Sequence, residues 1–189
     1  MPVSNVSRVV GFAIVSVMVS AAGLGAVGCS DPVGAVPGLA FTLKIGPKAG
    51  ESQGCPPGEA GLGSVDATRI VYVSDGDQGL MIKGCSVSEQ GEGFRVTVRS
   101  EVKQGAATTV FHVTNLTFEA DGTGKGEVSM SGPITAKKAF SPVGPTCDFQ
   151  LIEGAAGTIW ASFECAEVTD EESTCSFEHG FFAVENCGT

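Results

Sequence analysis

An antiparallel β-sandwich of about eight strands, stapled by disulfides, is the fold that this sequence predicts, with a flattened β-barrel as the alternative. Three observations predict it. Apolar and polar residues alternate over short runs, glycine-rich turns separate the runs, and stretches with helical periodicity are nearly absent. The composition agrees, because 27 Gly, 11 Phe, abundant Val and Thr and only 17% charged residues suit short strands joined by tight turns. Residues 51–60 and 170–175 could each hold a helical turn, and both read better as loops. Strands of this kind carry an apolar face that one sheet cannot hide, so two layers must pack together.

The chain opens differently. Residues 1–8 are polar with one positive charge, Arg8, and residues 9–24 form an apolar run interrupted only by Gly and Ser. Small residues then lead to Ala26, Val27, Gly28 and Cys29. Charged, apolar and small-residue segments in that order make a secretory signal peptide over residues 1–28. An uncleaved membrane helix is the rival, since the run approaches the ~20 residues that span a bilayer. The glycines and the small-residue exit favour cleavage.

The tetrad at 26–29 resembles the lipobox of bacterial lipoproteins, which signal peptidase II cuts after diacylglycerol is attached to the cysteine. It departs from that pattern in having Ala26 where Leu is usual. The resemblance covers the signal and Cys29 alone, and it implies an exported chain anchored to a membrane by lipid on Cys29. Ser30 stands where some lipoproteins carry the Asp that retains them in the inner membrane, so the implied address is the outer membrane or the cell surface.

Cysteine parity points the same way. The chain has seven cysteines, and an odd thiol in an oxidising compartment needs an explanation. If Cys29 carries lipid, Cys55, Cys85, Cys147, Cys165, Cys175 and Cys187 remain as an even disulfide set. Residues 29–38, rich in Pro and Gly, read as the lipidated cysteine and a short tether. Residues 39–189 then form a single domain, large enough to bury roughly 70% of its unfolded surface without relying on the bridges.

Taken in order, Leu39, Phe41, Leu43 and Ile45 mark the first strand by their alternation, residues 55–67 read as a loop, and residues 68–74 as the next strand. Between Leu80 and Ser131 the runs fold onto one another as a four-stranded meander. The expected pairs are Val87 with Phe94 and Cys85 with Val96, then Val98 with Phe111 and Val96 with Val113, then Leu116 with Met130 and Phe118 with Val128. The alternation slips between Val113 and Leu116, which predicts a bulge near Asn115. A three-residue loop at Ala155, Ala156 and Gly157 sets the last hairpin, with Gly154 facing Thr158, Leu151 facing Ala161, Phe149 facing Phe163 and Cys147 facing Cys165. Asp148 then opposes Glu164, a like-charge pair costing a few tenths of a kcal/mol. Directly opposed cysteines have the Cα separation a bridge needs, which predicts Cys147–Cys165. Six cysteines allow 15 connectivities, and local pairing of the others would join Cys55 to Cys85 and Cys175 to Cys187.

Candidate chemistry is sparse. His112 alternates onto the face away from the core, and His179 precedes Gly180 at an expected turn. Neither has the spacing of a zinc site, and no GxSxG or P-loop spacing occurs. Asp75 and Asp77 could offer carboxylates to Ca²⁺, but a turn explains them without a metal, as the third acid and closing Glu of an EF-hand are missing. Residues 170–172 read as a solvated acidic cluster. Trp160 shares a face with Ile152, opposite to Phe149 and Phe163, and is either core or a contact for a ligand.

The excess of 21 Asp and Glu over 11 Lys and Arg repels phosphate backbones, so nucleic acid is excluded as a partner. No cofactor is implied. The sequence therefore predicts a lipid-anchored envelope protein with a non-catalytic binding or structural role and an envelope protein or ligand as its partner. A carrier of an apolar ligand and an enzyme with a site assembled across strands are the alternatives. Replacing Cys29→Ser should leave unprocessed precursor or a soluble product that no longer takes up labelled fatty acid, and label persisting in that variant would overturn the anchor.

Overall fold

The computed structural model describes residues 34–48, 55, 57–142, 147–170 and 172–189. The expected signal peptide and Cys29 lie outside them. Among the described residues, thirteen strands run in the order β1 (Gly38–Pro47), β2 (Gly58–Leu62), β3 (Ser64–Val65), β4 (Ile70–Val71), β5 (Val73–Ser74), β6 (Leu80–Gln90), β7 (Gly93–Gln104), β8 (Ala107–Phe118), β9 (Thr123–Ser131), β10 (Ala139–Pro142), β11 (Cys147–Ala155), β12 (Thr158–Thr169) and β13 (Thr174–Glu185). Eight of them, β1, β6 to β9 and β11 to β13, have nine residues or more. The rest are fragments of two to five residues, and the helical content is two short 3-10 turns, Asp77–Gly79 and Pro133–Thr135.

Eleven strands form one antiparallel sheet in the order β2-β1-β13-β12-β10-β9-β8-β7-β6, with β11 also pairing β12 and β9, and β5 pairing β1. The sheet doubles over into two layers, β6 to β9 against β11, β12, β13, β1 and β2. Ring contacts between layers show the fold: Phe41 of β1 stacks on Phe111 of β8 with centroids 4.2 Å apart and planes 2° from parallel. Phe149, Phe163 and Phe182 continue the cluster at centroid distances of 5.7 to 6.3 Å. The expected all-β, two-layer architecture is therefore present, as one continuous sheet that joins its layers through the gap between β9 and β12. That gap is filled in series by β10 at one end and β11 at the other.

The rings fit because small residues face them. Phe163 pairs across the ladder with Gly180, and a Cβ there would lie only 2.4 Å from the Phe163 ring. A Cβ on Gly124 would lie 2.8 Å from the Phe118 ring, and one on Gly154 2.8 Å from that of Phe94. Glycine is thus spent on the inner face, where strand propensity would argue against it, to seat aromatic rings on bare backbone.

The meander of β6 to β9 forms as expected, but its registers differ. Val87 pairs with Val96 and Cys85 with Val98, Val98 pairs with Val113, and Phe111 pairs with Met130. The first two ladders are displaced by two residues because each turn is centred one residue later than expected, on residues 91–92 and 105–106, where Gly91 has φ 63° and Gly105 φ 61°. A two-residue displacement keeps every side chain on its face, so alternation alone does not resist it. The expected bulge is present, with Asn115 at φ 53° and the register breaking on both sides of β8. In the last hairpin Cys147 faces Cys165, Phe149 faces Phe163 and Leu151 faces Ala161 as expected. A bulge at Ile152 then moves Gly154 opposite Ile159 and Ala155 opposite Thr158, which shortens the loop to Ala156 and Gly157. The expected loop over 55–67 instead supplies edge strand β2, paired with β1, and the expected strand over 68–74 breaks into β4 and β5, which pair with β3 and β1.

Three disulfides account for all six cysteines of the domain. Cys147–Cys165 is as predicted, with Cα atoms 4.0 Å apart. The local pairings are corrected, since Cys55 joins Cys175 and Cys85 joins Cys187. The cause is topological: β13 runs beside β1, bringing Cys175 opposite Pro47 near Cys55. The C-terminal tail meets edge strand β6, where the Val87 amide donates to the Gly188 carbonyl at 2.8 Å. Bridges spanning 120 and 102 residues remove more unfolded-state freedom than the local one spanning 18, about 5 against 3 kcal/mol in the chain-entropy picture.

Overpacking at a glycine seat should be costly. Gly180→Ala is expected to destabilise the domain by about 1 to 3 kcal/mol in urea unfolding, whereas Gly84→Ala, where a Cβ meets nothing within 4 Å, should stay near wild type.

Candidate functional site

The doubled sheet leaves a groove of about 760 Å³ on its outer surface, crossing β8, β9, β11, β12 and β13. Alternation decides which side chains line it. Leu116, Gly124, Phe149, Phe163 and Phe182 point to the core, so their strand neighbours Thr117, Thr123, Gln150, Ser162 and Phe181 point outward into the groove. The floor is one backbone thick, for the glycines that seat the rings from inside, Gly124 and Gly180, also line the groove from outside.

Two non-glycine residues in the left-handed region stand at its opposite walls. Asn115 on β8 has φ 53° and His179 on β13 has φ 50°, each the extra residue of a bulge that re-aims it. A non-glycine residue in this region costs about 1 to 2 kcal/mol, less for Asn, and such strain concentrates at functional sites. Asn115 is fixed by its amide, which donates to Glu127 Oε1 at 3.0 Å.

A charged row crosses the groove. Lys125 pairs in register with Asp148, and Asp148 with Glu164, on the adjacent strands β9, β11 and β12. On β13, His179 Nδ1 lies 3.9 Å from the Oε1 of Glu164. Four strands at ~4.8 Å spacing make the row roughly 14 Å long. Lys125 forms an ion pair with Asp148, offsetting the like-charge opposition of Asp148 and Glu164. Both partners are exposed, so the pair adds little stability and mainly sets the local field.

The other sequence candidates fall elsewhere. Trp160 is half-buried under the β3–β4 hairpin, packed with Tyr72, Ile70 and Phe181 around Ala40, Val65 and Ala183. Its Nε1 donates to the Asp66 carbonyl at 3.0 Å, so its indole is engaged by the chain itself. In the same cluster the Tyr72 phenol is pushed up to about 12 by burial and by the carboxylates of Glu185 and Glu153. Asp75 and Asp77 are exposed turn residues, and Asp75 Oδ1 accepts the Ile82 amide at 2.7 Å. No group of three metal-ligating side chains occurs among the described residues. Asp170 caps its own loop by accepting the Ser173 amide at 2.7 Å, and Lys138 approaches Asp170 and Glu172 at 2.8 and 2.9 Å. That acidic cluster is an ion-pair network, with Glu171 outside the described residues. His179 lies mid-strand in a bulge, correcting the expected turn. Phe181 is the ring in the groove, and alternation between Gly180 and Phe182 was its only signal.

No protein-family model, curated protein or solved structure matches this chain.

His112 does stand on the outer face as expected, opposite Arg99 of β7, and does not line the groove. Burial first and Arg99 second hold its pKa below the ordinary histidine value. The folded state therefore binds that proton less readily than the unfolded chain, and stability should be lost as pH falls below about 6.5, levelling off below the folded pKa. His112→Gln should flatten this part of the profile of melting temperature against pH.

Proposed function

We propose that this chain is an exported lipoprotein, held at the outer membrane or cell surface by lipid on Cys29, whose β domain is a non-catalytic binding module. The observation that carries the binding reading is the outer groove. It is walled by two left-handed bulge residues, crossed by a charged row and floored by backbone that glycine keeps bare. The bridges support the anchor, since all six domain cysteines are paired and Cys29 is left over. Disulfides are compatible with an envelope or extracellular location. The interior between the layers is filled by packed aromatic rings, which supports a surface groove over an apolar-ligand carrier.

A photo-crosslinking residue placed at Gln150 in the groove of the full chain should capture a ligand in intact envelopes, and one at Lys83 on β6 should not. Ser162→Trp, which fills the groove from an outward position, should abolish capture with the melting temperature unchanged. Equal capture from both positions would overturn the groove. A hydrolytic activity lost in Glu164→Gln with the fold intact would overturn the non-catalytic reading.

A further inference from the structure

Resting on the groove reading above, we infer that its occupant is an oligosaccharide lacking acidic groups. The first argument concerns main-chain hydrogen bonds. β9 lies between β8 and β11, β11 between β9 and β12, β12 between β11 and β13, and β13 between β12 and β1. The strands of the floor have neighbours on both sides, so an extended peptide finds no open edge to join and its amides would go unmatched by a ladder.

Recognition must come from side chains, and those on offer suit hydroxyls. Thr117 and Ser162 each both donate and accept, as a sugar hydroxyl does; Thr123 Oγ1, which donates to Asp121 at 2.6 Å, can still accept, and Gln150, whose amide donates to the Gly122 carbonyl at 3.3 Å, keeps its oxygen and a second N–H. Phe181 presents the aromatic ring on which the C–H face of a pyranose can lie, beside Ser162 in the register of β12 and β13. Its position is held from behind by the cluster under the β3–β4 hairpin.

Charge and length narrow the class. Glu119, Asp148 and Glu164 line the groove against Lys125, which is already paired with Asp148. An acidic ligand would meet a negative field there, and the lysine of the adjoining depression, Lys44, stands in register between Glu59 of β2 and Glu178 of β13. The groove spans five strands, about 19 Å, and His179 is shared with an adjoining depression of about 510 Å³ over Thr42, Lys44 and Gly61 on β1 and β2. The path thus continues to roughly 29 Å across seven strands, a length for a chain of sugars and not for one.

The test is a glycan array probed with the full chain, carrying single sugars and oligosaccharides built from hexose, hexosamine or hexuronate. Oligomers of hexose or hexosamine should bind, while single sugars and uronate oligomers should not. Phe181→Leu, which keeps the apolar contact beneath the hairpin, and Gln150→Ala should each weaken binding about five- to tenfold without changing the melting temperature. Binding that prefers uronate, or that persists at full strength in Ser162→Trp, would overturn the inference. Capture of a peptide from Gln150 with no glycan bound would sink the sugar chemistry and leave the groove standing. Failure of both capture and array would remove the groove itself.

Discussion

Phenylalanine rings laid over glycines of the neighbouring strand fill the space between the two layers, and the rest of the molecule follows from that contact. A ring over a bare Cα fills volume that two medium side chains would otherwise share, so Phe118 and Phe163 lie close against the inner face at Gly124 and Gly180. The outer groove crosses the same two glycines. Core and groove are therefore two sides of the same residues, and evolution cannot deepen one without reseating the other. Interiors packed at crystal density transmit such changes directly.

The fold was legible because its information is local. Eight long strands, their alternating faces, the bulge at Asn115 and the bridge between Cys147 and Cys165 all follow from periodicity and turn chemistry within a few dozen residues. What was illegible depends on two-residue shifts or on distant neighbours. The first two meander registers moved by two, a shift that leaves Val, Phe and Cys on the same face, and the third moved by five because the bulge at Asn115 adds to the displacement. The other two bridges could not be read because each joins segments more than 100 residues apart, and nothing at Cys55 or Cys187 records which strand will lie beside it.

The candidate site was less legible than the fold, for a related reason. Its lining comes from five strands, each giving one or two ordinary polar residues that no motif marks. Asp148 opposite Glu164 looked like a defect of the hairpin until β9 placed Lys125 on its far side. Trp160 drew notice for its size, yet a hairpin of two-residue strands covers it, while Phe181 two positions along the same surface reaches the groove.

The first strand has a mechanical meaning. Residues 34–37 lead straight into Gly38, and β1 then runs antiparallel to β13, which carries His179 and Phe181. With the N-terminus anchored and a ligand in the groove, as proposed above, tension would run along β1, at right angles to the bonds that tie it to β13. The ladder is loaded in shear, so its bonds must yield together and not one after another. Cys55–Cys175 fastens the far end of β13, and Cys85–Cys187 fastens the tail that follows it. The proposed arrangement is that of a tow line, with the groove as its hook.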